Sequence, residues 1–131
     1  MYNKDTLIGI ILGLSKLDFN ISRDNTRNVG YSVKLSLNFR AKKDCLLAIQ
    51  RSLLQHQIQS KFKHEEHSSR QKPILKITGN KNLIKVADLL PDLPDAKGDL
   101  TKLKLVIELI KQKKHVKAEG IEQLFKIKGV I

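Results

Sequence analysis

The sequence predicts an α+β domain in which two β-hairpins alternate with helices, in the order αββαββααα. Three observations carry that prediction. An unbroken apolar–polar alternation occupies residues 31–40. Helical spacing of apolar residues takes over in 42–55. A second pair of alternating segments follows at 57–65 and 72–78. No stretch has the composition of a linker or a disordered tail, so residues 1–131 read as one domain.

Taken in order, Asp5 or Thr6 can cap a first helix running to about Ser15. Its apolar run, Leu7–Leu14, follows Lys4 as in a short signal peptide, but Gly9 and Gly13 interrupt it and no small-x-small cleavage site follows. It is also too short to span a membrane, so the expectation is a buried helix of the mature domain. Residues 17–23 alternate as a half-buried strand does, and residues 24–28 carry turn chemistry. In the next segment Tyr31, Val33, Leu35, Leu37 and Phe39 share one face, and Ser32, Lys34, Ser36, Asn38 and Arg40 share the other. Leu46, Ile49 and Leu53, with Leu47 and Leu54, then form a helical stripe.

In the second hairpin Ile58, Phe62, Leu75 and Ile77 point inward, and Gln59, Lys61, Lys63, Lys72, Lys76 and Thr78 outward. Its tip, His64–Arg70, is polar and expected to be mobile. Gly79 and Asn80 can cap a short helix over 81–90, which Pro91 and Pro94 stop. Leu100, Leu103, Val106, Ile107 and Ile110 mark a longer helix. Ile121, Leu124, Phe125 and Ile127 mark a last one, from about Ala118 to Lys128.

The charge balance is one-sided. Twenty-five Lys and Arg face thirteen Asp and Glu, for a net charge of +12 and a pI near 9.9. Such a surface attracts polyanions, nucleic acid first among them, although solubility alone is the plain alternative. Forty per cent of residues are hydrophobic, with no Trp, four Phe and two Tyr, so the core must be mostly Leu, Ile and Val. Cys45 is the sole cysteine, which excludes an internal disulfide and a Cys-based zinc site. Its apolar neighbours predict a buried, inert thiol. His64 and His67 lack a third ligand of matching spacing, so no metal is expected there, and no cofactor is implied anywhere.

The order of elements and several of their residues resemble the LAGLIDADG homing endonucleases. Leu7-Ile-Gly-Ile-Ile-Leu-Gly-Leu-Ser15 is similar to the family's signature helix, in forms such as LxGxxxGDG. Leu35-Ser-Leu-Asn-Phe39 resembles its second strand, and Pro91–Leu100 with Leu103–Ile110 falls where the family has its post-hairpin loop and helix. The segment His115–Lys128 resembles the family's ending, and the likeness covers nearly the whole chain. It implies a single LAGLIDADG-type domain with a four-stranded antiparallel saddle sheet packed on helices.

Gly9 and Gly13 lie four apart on one helical face, where missing Cβ atoms allow close helix approach. The resemblance therefore implies a homodimer, or pairing with a related chain, with Leu7, Gly9, Ile10 and Gly13 at the contact. The alternative is that the glycines ease packing inside the monomer. Two glycines in a helix cost ~1 kcal/mol each and need some compensation.

The departure from the family is Leu14. An Asp or Glu stands there in the family and binds the metal used for cleavage; leucine offers no oxygen. Asp18 is the nearest acid and would need a rearranged site to substitute. The resemblance thus implies a nucleic-acid-binding module that is not an enzyme, with an active endonuclease as the alternative.

For binding, Asn20, Ser22, Arg23, Lys34, Asn38 and Arg40 supply hydrogen-bonding groups on the first hairpin. Lys61, Lys63, Lys72 and Lys76 extend that surface, and Arg27 and Arg70 near the hairpin tips are placed to clamp phosphates. Each of these is also what an ordinary solvated sheet face would carry. The basic 111–115 cluster suits either phosphate contact or a solvated helix end. Outward aromatics for stacking are lacking, which favours duplex DNA or structured RNA over single strands. A splicing (maturase-like) or organellar ribosome role is a further alternative. Family resemblance and Lys/Ile richness suggest a mitochondrial or plastid origin by association.

Overall fold

In the computed structural model the described residues are 2–26, 30–91, 98–113 and 118–129. The elements in chain order are α1 (Lys4–Leu14), β1 (Lys16–Arg23), β2 (Tyr31–Phe39), α2 (Lys43–Gln55), β3 (Lys61–Lys63), β4 (Ile74–Thr78), α3 (Asn80–Leu89), α4 (Asp99–Lys111) and α5 (Ala118–Lys128). The strands form one antiparallel sheet in the order β1-β2-β4-β3, so each hairpin contributes its second strand to the centre. This α+β arrangement matches the expected one.

Asn3, rather than Asp5 or Thr6, caps α1: its side chain accepts from the Thr6 amide at 2.8 Å. Asn is as good a cap as Asp, and this choice places Asp5 in the first turn, favourable to the helix dipole. At the far end Ser15 turns to extended backbone, and both its N–H and its hydroxyl donate to the Ile11 carbonyl.

Alternation in β2 sends Leu35, Leu37 and Phe39 into the core, the last two fully buried. They meet Leu46, Ile49 and Leu53 of α2, Leu83 and Val86 of α3, Leu103, Val106 and Ile107 of α4, and Leu124 of α5 in one cluster. All these helices therefore cover one face of the sheet and, among the described residues, leave the other without a helical layer. Each fully buried Leu, Ile or Phe contributes ~1.5–3 kcal/mol through removal of apolar surface from water.

The expected strand at 57–65 is reduced to Lys61–Lys63. Gln57 adopts a positive φ of 62°, and the backbone after it is held by helix side chains instead of a ladder. The Gln59 amide donates to Asn82 Oδ1, Gln50 Nε2 donates to the Ser60 carbonyl, and Lys85 Nζ donates to the Gln57 carbonyl. Ile58 still turns inward and is fully buried. Gly79, the N-cap of α3, has φ 86°, a left-handed conformation that favours glycine.

One further expectation is corrected. Cys45 is half-buried instead of buried, with its Sγ 3.8 Å from the Tyr2 hydroxyl. Ile74, which alternation assigned to no face, is fully buried although it shares the outer phase of β4 with Lys76. Residues 92–97 and 114–117, which include Pro94 and His115, lie outside the described residues. No helix among the described residues is long and apolar enough to cross a membrane.

Candidate nucleic-acid interface

Register places the outward residues in rows that cross the strands. Lys16 pairs with Asn38, Asn38 with Lys76, and Lys76 with Lys61, so one row runs from edge to edge. The next row is Asp18, Ser36 and Thr78, and beyond it come Asn20 with Lys34 and Ser22 with Ser32. Successive Cβ atoms alternate across a strand, so these side chains share the face that the helices do not cover. Asn20 Nδ2 donates to Asp18 Oδ1 at 3.2 Å, and the Ser22 and Ser32 hydroxyls are 3.1 Å apart. Asp18, Asn20, Lys34, Ser36 and Thr78 line a concavity of about 470 Å³ on this face.

Several candidate residues stand where the sequence suggested. Asn20, Ser22, Lys34, Lys61 and Lys63 are exposed on the outer phase, and Lys76 is half-buried between its neighbours. Lys72 is exposed but lies before β4, in the tip segment. Arg27 lies outside the described residues.

Others are placed differently. Arg23 pairs with Tyr31 and so shares the phase of Phe19 and Ile21, the helix side of the sheet, at its exposed rim. The expected grouping of Arg23 with Asn20 and Ser22 ignored that alternation. Asn38 is only 5% exposed, and its Oδ1 has no hydrogen-bond partner among the described residues. It sits between Lys16 and Lys76 in the register and is buried, so it does not project as a free reader.

Arg40 lies past the end of β2 and is engaged within the chain. Its Nε and Nη2 donate to the two oxygens of Glu66 at 2.7 and 2.9 Å, and Arg70 Nη1 donates to the same carboxylate at 3.1 Å. The Arg40 hydrogen bonds, with the nearby Arg70, hold the Glu66 carboxyl down at about 2, and the same pairing raises the Arg40 guanidinium, with a smaller pull from Asp18. The hairpin tip, expected to be mobile, is thus organised around Glu66, with backbone bonds between His67 and Arg70 and from the Glu66 amide to Lys72. Neither arginine is a free phosphate clamp. Lys111, in the C-terminal basic cluster, is likewise paired, to Asp88 at 3.0 Å.

On α1, Leu7 is fully buried in the core with Ile11, so its expected place at a dimer contact is corrected. Spacing by one turn ties Leu7 to Ile11 on the core stripe, and Ile10 is half-buried against it. Gly9 and Gly13 are exposed, and a Cβ built on either meets nothing within 4 Å. They ease no packing within the described residues. Leu12, 42% exposed, lies beside them on the same open face.

At the foot of α1, Leu14 is half-buried. Asp99, which no sequence motif singles out, accepts from the Leu17 amide through its Oδ2 at 3.2 Å. Among the described residues no group of three His, Cys, Asp or Glu gathers as metal ligands would. His67 Nδ1 instead lies 2.6 Å from the Ser69 hydroxyl. Lys16, Glu66 and Asp99 are the residues that reading the sequence missed. Lys16 was within reach by extending the β1 alternation one step; the other two are brought in across distant segments.

No family model matches the sequence, and no curated protein is detectably similar to it. Solved structures are similar in fold. The homing endonuclease I-TnaI superposes with a TM-score of 0.75 at 18% identity, over 96% of this chain and 85% of that one. The LAGLIDADG homing endonuclease I-LtrWI bound to target DNA gives 0.78 at 20% identity, over 99% of this chain and 44% of that one. The archaeal intron-encoded homing endonuclease I-Vdi141I complexed with DNA gives 0.78 at 15%, over 95% and 78%. The chain thus spans most of the length of some of these proteins and under half of others. Its αββαββ core and four-stranded antiparallel sheet are the fold of the LAGLIDADG homing endonuclease domains.

Proposed function

We propose that this chain is a nuclease-inactive nucleic-acid-binding protein that grips duplex DNA across the outer face of its sheet. The observation that carries the reading is the row Lys16–Asn38–Lys76–Lys61, on a face left without a helical layer. A two-dimensional array of cations and hydrogen-bonding groups fits a phosphate backbone and groove edges better than it fits a small ligand. Solved proteins of this fold described as bound to DNA support duplex DNA over structured RNA.

Pairing through α1 belongs to the same proposal. Its glycine face is open, and a second copy, or a related chain, would double the surface. Matched solved chains more than twice this length support that need, since this chain covers 44% of I-LtrWI. The proposed contact comprises Gly9, Ile10, Leu12 and Gly13.

The foot of α1 does not fit a divalent-metal centre. Leu14 offers no oxygen, and the Asp99 carboxylate already accepts from the Leu17 amide. Asp99 is nevertheless the one observation that favours a second reading, an endonuclease with a displaced ligand set using Asp99 and Asp18. Incubating supercoiled plasmid with the chain and Mg²⁺ or Mn²⁺ separates the two. Binding without cleavage is expected. Site-specific nicking abolished by Asp99→Ala or Asp18→Ala would establish the second reading, and preferential retention of structured RNA over duplex DNA would replace the proposed ligand.

A further inference from the structure

We infer that the phosphate track continues past the sheet edge into a groove between β3 and α3, where Lys61, Lys81 and Lys85 receive a further stretch of phosphodiester backbone. The inference rests on the nucleic-acid-binding reading above and extends it to residues that the sheet face does not include.

Continuity is the first argument. Lys61 ends the cross-strand row and also lines this groove, which has a volume of about 650 Å³. Charge is the second. Lys61, Lys81 and Lys85 line it with Gln57, Gln59 and Ser60, and no carboxylate among the described residues lines it, whereas Asp18 lines the concavity on the sheet. Unused hydrogen-bonding capacity is the third. Ser60 Oγ is buried without a partner among the described residues. Gly79 supplies no side-chain cap to α3, so no side-chain oxygen competes for the first-turn amides beside Lys81 and Asn82. Lys85 Nζ donates to the Gln57 carbonyl at 2.7 Å, which fixes the ammonium at the groove wall. An ammonium has three donors, so that bond leaves others for an anion. Lys81 is exposed, so Lys81→Ala is expected to leave the fold intact, which its thermal unfolding checks.

The test measures affinity of the full chain for a fluorescein-labelled, mixed-sequence duplex DNA from about 50 to 200 mM salt, where counterion release dominates. Lys81→Ala is compared with Lys126→Ala, which removes an equal charge from α5. The expected result is a several-fold loss of affinity and a salt slope shallower by about 0.9 for Lys81→Ala alone. Hydroxyl-radical footprinting should lose protection at the outer end of the wild-type footprint only. An unchanged slope and footprint in Lys81→Ala, or equal losses in both variants, overturns the groove while leaving the sheet-face reading standing. If the wild-type chain fails to bind, or binds without salt dependence, the parent reading falls and the groove with it.

Discussion

Arg40 and Glu66, 26 residues apart, form a two-point ion pair in which Nε and Nη2 reach separate carboxylate oxygens. The pair fastens the tip of the second hairpin to the end of β2, and Arg70 joins it from within the tip. Arginine's planar fork suits this geometry, and lysine, a point charge, cannot reproduce it.

The pair makes a pH prediction. Glu66 sits at about 2 in the folded chain against an ordinary 4.5. A depressed folded value means the contribution is complete above the unfolded pKa and is lost as pH falls through the folded one. Thermal unfolding should show no pH dependence from this group near neutrality and a progressive loss from about pH 4.5 down to about 2. Glu66→Gln should unfold at a lower temperature at neutral pH and show a shallower acid limb. Identical acid limbs in the two chains would contradict the assignment.

Gly9 supplies a prediction that separates folding from pairing. A Cβ there meets nothing within 4 Å, so Gly9→Ala introduces no clash in the monomer. Helix propensity then favours alanine by about 1 kcal/mol, so the monomeric chain should be more stable by about that amount in urea titration. Sedimentation should show weaker self-association in the same variant, since the close approach of two helices is blocked. A less stable monomer would mean that the glycine makes an intrachain contact.

Asn38 carries a buried acceptor with no partner among the described residues. An unsatisfied buried group costs about 1–3 kcal/mol, so Asn38→Leu, which keeps the branched shape but replaces the amide with larger methyl groups, should raise stability by about 1 kcal/mol. Urea denaturation with an unchanged m-value is the check. A loss of stability instead would show that the amide oxygen is satisfied in solution.

Salt dependence addresses the sheet face as a whole. If about six to ten phosphates are neutralised, affinity for duplex DNA should fall ~10³–10⁵-fold between 50 and 200 mM salt. Removing Lys34 or Lys76 should lower the slope by about 1 each and weaken all sequences alike. Binding that ignores salt would exclude a phosphate grip by these strands.

The sequence by itself determined the alternation of β2, the helical stripes and the order of elements, because strand and helix periods are local properties of the chain. It also determined that position 14 has no carboxylate. Tertiary structure decided what each side chain meets. Leu7 and Gly9 are neighbours in one helix, yet only packing shows that the first enters the core and the second faces open space. Asn38 and Lys34 share a phase of β2, but the flanking strands bury one and leave the other exposed. Glu66 reaches Arg40, and Asp99 reaches Leu17 across 82 residues, because the fold closes long loops. Such pairings depend on three-dimensional proximity, and no period in the sequence encodes it.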